Sequence, residues 1–283
     1  IRQISRSGSG PGELNGNFYE FFQMGGNLLV LCAGKQGFVV FDDSLEYNEE
    51  IPNWLVNAPI LNSAVSDTTY VCHKVDLDTE DSDNLTIHRR LALFAYGAEE
   101  YHHVFWEDSI QISLNDLFSS PSMIFNDLLF GLTLTSNKEL IVFAVRDTEK
   151  YNLLALNVDG TEAFPINLPL EPVAKSVEAV AEEKAYMQGF LNQMGFGEMG
   201  EFEPEPYRDM IVQVAFGPDG NIWVQRGTME HPFFDIFDLE GTLIGHKVFP
   251  ELGWTWKFTM GPNGILAWED DPELGFQQLF MVQ

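Results

Sequence analysis

One unit recurs along this chain and constrains its fold more than any other feature: a turn, a short apolar strand, a variable hairpin and a second apolar strand. It is clearest near the C-terminus. There "VAFGPDGNIWVQR" (214–226) precedes "FFDIFDLEGTLIG" (233–245), and "KFTMGPNGILAWED" (257–270) precedes "FQQLFMVQ" (276–283). Asp219-Gly220 and Asn263-Gly264 read as two-residue hairpin turns, because positive φ at both turn positions favours Asn or Asp followed by Gly. The same unit appears upstream with worn turns. "FFQMGGNLLVLCA" (21–33) precedes "GFVVFDDSL" (37–45), "VSDTTYVCHKV" (65–75) precedes "RLALFAY" (90–96), and "LTLTSNKELIVFAVRD" (132–147) precedes "YNLLALNVDGTE" (151–162). Five units result, with second strands beginning near Asn27, Thr69, Leu140, Asn221 and Gly264. Their uneven steps require insertions. Each unit reads as a four-stranded meander, and such sheets arranged radially form an all-β propeller, here one domain spanning 1–283.

A propeller closes its ring by completing one blade from both ends of the chain. The last unit supplies "WTWKFTM", "GILAWED" and "FQQLFMVQ", so the fourth strand is expected from "IRQIS" at residues 1 to 5. The glycine-rich "RSGSGPGEL" (6–14) then links that strand to the first blade, with Glu13 capping or bracing the crossing. It does not read as a phosphate loop: no helix pattern follows it, and the Lys-Ser/Thr ending of such loops is absent. One helical insertion is expected at about 170–200. In "EPVAKSVEAVAEEKAYMQGFLNQM" (171–194), Val173, Val177, Val180, Met187, Leu191 and Met194 follow helical spacing, and Pro172 suits a first turn. This helix forms either a lid over one propeller face or a prop packed outside its blade; its apolar stripe favours the prop.

The segments "GSGPGEL" (8–14), "FGPDGNIWV…FDIFDLEGTL" and "MGPNGILAW" resemble the NHL-like six-bladed β-propeller proteins of the Bacteroidetes type. The resemblance is loose over the whole chain and specific at 8–14 and 211–268. It implies six blades where the repeat gives five, so either a sixth blade lies within 46–66 or 104–130 or the ring has five blades. It also implies export to the periplasm, the cell surface or the medium, often with a lipid anchor, and a family without an established reaction.

Charge narrows the partners. The chain carries 43 Asp plus Glu against 15 Lys plus Arg, a formal net charge of −28. Nucleic acid and anionic membranes need clustered Lys and Arg, so neither is an expected partner. No apolar run approaches a membrane span. The chain begins at Ile1 with neither Met nor signal peptide, which reads as a mature or trimmed form. Cys32 and Cys72 fall near the ends of equivalent strands in neighbouring units, too far apart to bridge, and are expected as free thiols.

No catalytic motif stands out. The best metal sequence is "DLDTEDSDN" (76–84), where Asp76, Asp78, Asp81 and Asp83 resemble a calcium loop but lack its glycine and its twelfth-position Glu. No cofactor is expected beyond calcium at that weak site, and a solvated acidic hairpin is the stronger reading. A richer constellation comes from aligning the units. The connections after each second strand gather at one mouth of the channel, and there the units offer Ala33-Gly34, His73-Lys74, Arg146-Asp147, Arg226-Gly227 and Glu269-Asp270. Basic residues are scarce, yet three of these five positions carry His or Arg, which could hold a carboxylate or sulfate. Trp223 and Trp268 lie just before two of them and could stack on a ring. Surface ion pairs and inter-blade tryptophans would account for the same residues. The expected function is therefore a non-catalytic binding module presenting one face to a protein, peptide or glycan. The alternative is a channel-mouth enzyme, such as a calcium-dependent lactonase-type hydrolase or a polysaccharide lyase.

Overall fold

The computed structural model describes residues 8–14, 19–32, 35, 37–52, 62–78, 84–98, 100–113, 131–193, 200–227, 230–253, 255–261, 264–269 and 278–282. They form a five-bladed β-propeller. Blade I is β1 (Tyr19–Met24), β2 (Asn27–Cys32), β3 (Gly37–Phe41) and β4 (Tyr47–Pro52). Blade II is β5 (Asn62–Ala64), β6 (Thr69–Asp78), β7 (Asn84–Ala95) and β8 (Tyr101–Ser113). Blade III is β9 (Leu132–Ser136), β10 (Leu140–Val145), β11 (Tyr151–Asn157) and β12 (Glu162–Leu168). The helix α1 (Val177–Gln193) interrupts the passage to blade IV, which is β13 (Gln213–Phe216), β14 (Ile222–Arg226), β15 (Phe233–Phe237) and β16 (Leu243–Val248). Blade V contributes β17 (Lys257–Gly261), β18 (Gly264–Glu269) and β19 (Gln278–Val282). Every blade is an antiparallel meander in sequence order. Among the described residues no sixth blade appears, and the described parts of the segments named for it belong to β4, β5 and β8 of blades I and II. The expected closing strand at residues 1 to 5 lies outside the described residues.

The first strands β1, β5, β9, β13 and β17 contact one another in that order, so they form the inner ring. Blades then pack face to face, and the cores lie between them. Tyr70 of blade II, for example, has ring centres of Phe22 and Phe38 of blade I within 5.6 and 5.8 Å. This explains why "NLLVLC", "GFVVF" and "LIVFAV" are apolar without alternation: strands covered on both faces bury both sets of side chains. The outer strand β16, by contrast, carries Leu243, Ile244 and Val248 partly exposed. Cys72 belongs to the core between blades I and II, while Cys32 packs on the other side of blade I with Val30 and Phe41. Both cysteines are buried and neither forms a disulfide, as their spacing suggested.

The hairpins are longer than the Asp-Gly pairs imply. Gly217 donates its N–H to Asn221 and Gly220 donates back to Gly217, which leaves three residues in the turn instead of two. The same bonds recur between the third and fourth strands at 42–46, 157–161 and 238–242. The fourth position of each turn has positive φ: Gly160 at 89°, Gly241 at 83°, but Leu45 at 59°. A side chain there crowds the following carbonyl, at a cost of roughly 1–2 kcal/mol. Leu45→Gly is therefore expected to stabilise the protein by about 0.5–1 kcal/mol after glycine's own entropy is counted. Gly241→Ala is expected to destabilise it, since a Cβ would stand 2.6 Å from the Phe164 ring. Urea denaturation of both variants checks this, and a destabilised Leu45→Gly would show that leucine packing outweighs the strain.

The glycine-rich stretch is a compact turn leading toward a strand. Gly10 donates its N–H to the Glu13 carboxylate at 2.8 Å, and Gly8 donates to the Leu14 carbonyl at 3.0 Å. Glu13 thus braces the turn. Lys35 clasps it to blade I, donating to the carbonyls of Ser9 and Gly10 while pairing with Glu50 at 2.8 Å.

Candidate ligand cavity at the channel mouth

The connection from blade III to blade IV builds the roof of a cavity. Its stem is stapled by a bridge between Ala174 and Tyr207, with Lys175 donating to the Pro206 carbonyl and Arg208 to that of Val173. Met210 then donates to Asp147 at 2.8 Å, which ties the returning chain to blade III. The helix starts at Val177, capped by the Ser176 hydroxyl that accepts from Ala179 N–H at 3.1 Å. The expected Pro172 start is therefore five residues early.

The expected stripe holds at Met187 and Leu191 but fails at Val177. Val177 is 81% exposed, whereas Ala179 and Leu191 are buried and Glu183, Tyr186 and Met187 face a cavity. These five follow i, i+4 and i+3 spacing, so a mixed face points inward, as suits a roof over a solvent-connected space. The helix is a lid over the propeller mouth.

Beneath it lie two connected spaces of about 550 and 360 Å³. They share Thr133, Glu183, Tyr186, Met187, Asp209 and Lys257. Their walls come from the starts of the inner strands (Leu132, Gln213, Lys257) and the ends of the second strands (Gln225, Arg226, Trp268), with Trp256 from the connection before β17. This is one mouth of the ring, because a meander brings the start of each first strand and the end of each second strand to the same side.

The charges in the walls are organised in pairs. Arg146 Nε meets Asp209 Oδ1 at 2.7 Å, and Lys175 Nζ meets Glu183 Oε2 at 2.7 Å with only 3% of the lysine side chain exposed. Burial raises the Asp209 carboxyl above its ordinary range, and Arg146 and Lys175 only partly oppose it. Arg226 grips Asp235 with two bonds of 2.6 and 2.7 Å, and its guanidinium lies 4.6 Å from the Phe233 ring centre. Asp235 is fully buried and also accepts from His246 Nδ1 at 2.8 Å. Burial and this neighbouring carboxylate raise the pKa of Tyr151.

Of the residues singled out in the sequence, Arg146, Arg226 and Trp268 come together around this cavity. His73 does not: it is 1% exposed on β6, and neither ring nitrogen has a hydrogen-bond partner among the described residues. Burial first, and the Arg89 charge second, lower its pKa to about 4, so it is no cation at neutral pH. Lys74 sits on blade II, paired with Asp76 at 2.7 Å and 5.5 Å from the Tyr101 ring centre. Trp223 is buried between blades IV and V, donating to Asp219 at 2.9 Å. Glu269 ends β18, and its side chain lies outside the described residues. Asp76 is engaged by Lys74 and Arg90, Asp78 ends β6, and Asp81 and Asp83 lie outside the described residues. Among the described residues no three His, Cys, Asp or Glu side chains gather as a metal site, and no helix is long and apolar enough to cross a membrane.

Sequence reasoning missed Tyr186, Trp256, Gln213, Gln225 and Lys257. For Gln213 and Lys257 the signal is topological: the first residues of inner strands reach the same mouth as the last residues of second strands.

No protein-family model matches the chain, and no curated protein matches it. Several solved structures are similar to it over part of their length. A streptogramin B lyase is 12% identical over 93% of this chain and 68% of that one, with a TM-score of 0.37. A prolyl endopeptidase structure is 7% identical over 90% of this chain and 40% of that one, with a TM-score of 0.33. A calcium-binding protein, regucalcin from Agrobacterium tumefaciens, is 11% identical over 88% and 81%, with a TM-score of 0.31.

Proposed function

We propose that the roofed cavity at the channel mouth is a non-catalytic binding site, and that the protein is a binding module taking a glycan or the end of a peptide there. One observation carries this reading. A space of about 550 Å³ is lined by Tyr186, Trp256 and Trp268 together with the amides of Gln213 and Gln225. That size and mixture suit a small ligand: flat apolar faces supply contact area, and a few placed polar groups fix orientation. The wall carboxylates Glu183 and Asp209 are each held by a cation, an arrangement that favours recognition over proton transfer.

Screening the full chain on glycan and peptide arrays tests it. Trp268→Ala is expected to weaken any ligand found by at least tenfold with its cooperative unfolding retained. Binding that survives this change undiminished would place the recognition surface elsewhere on the propeller.

A further inference from the structure

Arg226 is held in place before any ligand arrives. Its Nε and Nη2 donate to the two oxygens of Asp235 at 2.6 and 2.7 Å, and its guanidinium lies 4.6 Å from the Phe233 ring centre and 6.0 Å from that of Tyr151. Asp235 is fully buried and also accepts from His246, so the carboxylate that orients Arg226 is itself fixed. The chain beside it is fixed as well, since Gly227 lies too close to the Asp209 carbonyl to leave room for a Cβ. Of the five N–H bonds of a guanidinium, Asp235 takes two. Both hydrogens of Nη1 and the second of Nη2 have no partner among the described residues. Arg226 lines the larger space with its side chain 25% exposed.

Two features of this corner select what those donors take. The Arg226–Asp235 pair carries no net charge, so it offers directed donors without a charge of its own. An anion would give up its hydration for that neutral pair, whereas an uncharged carbonyl gives up far less water for the same bonds. Pro232 lines the same space and directly precedes Phe233, the residue paired with Arg226 across the ladder. Donors beside a small apolar surface fit an acetyl group, whose oxygen accepts while its methyl packs. The flat faces of Tyr186, Trp256 and Trp268 suit the C–H face of a sugar ring.

Resting on the binding role just argued, we propose that Arg226 is the specificity-determining residue of this cavity and that its ligand is an uncharged saccharide carrying an acetamido group. The guanidinium donates to the acetamido carbonyl, Pro232 meets the methyl, and the sugar ring lies against the aromatic walls. A site built around fixed donors discriminates strongly against an analogue without the acceptor, because the donors are then left unpaired.

Calorimetric titration of the full chain tests this with N,N′-diacetylchitobiose, cellobiose, digalacturonate and acetyl-dialanine amide as probes. The diacetyl sugar should bind at least tenfold more tightly than cellobiose, which keeps the rings and carries a hydroxyl in place of each acetamido group. It should exceed the uronate by as much. In Arg226→Met with Asp235→Leu, a neutral exchange expected to keep cooperative unfolding, the preference over cellobiose should fall below threefold. Arg226→Lys should lower it likewise, since an ammonium lacks the planar fork that serves Asp235 and a ligand together. In the unsubstituted protein, the Arg226 guanidinium resonances should shift with the diacetyl sugar and stay in place with cellobiose.

A tenfold preference that persists in either cooperatively unfolding variant, or Arg226 resonances unmoved at saturation, would overturn the role of Arg226. The binding role would still stand, provided Trp268→Ala weakens both sugars. Equal binding of the diacetyl sugar and cellobiose would overturn the acetamido group, and tighter binding of the uronate would overturn the uncharged class. Preference for the peptide over every sugar would overturn the saccharide. Failure of the diacetyl sugar to bind would overturn the inference outright, and the array result with Trp268→Ala then decides the binding role separately.

Discussion

Asp235→Ala is expected to destabilise the protein by about 3–5 kcal/mol, the cost of leaving a buried charge without its partner. The carboxylate is fully buried on β15 and accepts three hydrogen bonds, two from Arg226 and one from His246. A carboxylate can only accept, so His246 presents its Nδ1–H to it. Alanine would leave the Arg226 guanidinium, three-quarters covered, facing Phe233 and Tyr151 with nothing to balance it. The loss comes from the stranded cation more than from the pair itself, which yields a second expectation. Replacing both members, Arg226→Met with Asp235→Leu, should recover more than half of the loss, because well-packed apolar groups are often no worse than a buried pair. Urea denaturation of the two variants decides it. A double variant as unstable as Asp235→Ala would mean that the pair contributes directly.

The second large effect concerns acid. His73 has a folded-state pKa of about 4 against an ordinary value of 6.5, because burial disfavours its charged form and Arg89 adds repulsion. The folded protein therefore binds fewer protons than the unfolded chain between those values. The stabilisation from keeping His73 neutral is present in full above pH 6.5 and is lost as pH falls toward 4. Linkage gives a loss of about 2 kcal/mol by pH 5 and roughly 3 kcal/mol below pH 4. His73→Leu removes this term and also removes two buried ring nitrogens without a hydrogen-bond partner among the described residues. The variant should be more stable than the parent at pH 5 by a margin at least 1 kcal/mol larger than at pH 7.5. Many carboxylates titrate in the same range, but they do so in both proteins, so the difference between them reads His73 alone. Equal differences at the two pH values would contradict the assignment.

The repeat made the fold legible because strands buried on both faces must be apolar throughout, and "LLVLC", "FVVF" and "IVFAV" are. Blade number was also present in that count. The implied sixth blade came from resemblance, and the segments in question belong in part to blades I and II. Turn chemistry was only half readable: an Asp-Gly pair announces a turn but not its length, since Gly220 takes positive φ in a three-residue turn as readily as in a two-residue one. The site was less legible. Arg146, Arg226 and Trp268 were found because the hairpins repeat. His73 fits the same alignment yet turns into the blade, because a strand alternates faces and one residue of offset decides between mouth and core. Met187 fell on the expected stripe, but Tyr186 could not be placed from spacing, since a helix face that lines a cavity mixes polar and apolar side chains and blurs the stripe that spacing detects. Lys175 and Glu183 likewise gave no sign that they would meet, as their contact depends on where the insertion folds back.

The stapled stem beneath α1 separates two histories that a propeller might otherwise have to share. Residues 173–175 lie beside residues 206–208, so the chain leaves the ring and returns to it at nearly one point. The distance between blades III and IV is then independent of what the excursion contains. A roof of different length or composition can be exchanged at that stem while the blade cores keep their packing, since closing a longer loop between fixed ends costs little more than closing a short one. The ring can stay constant while its lid diversifies.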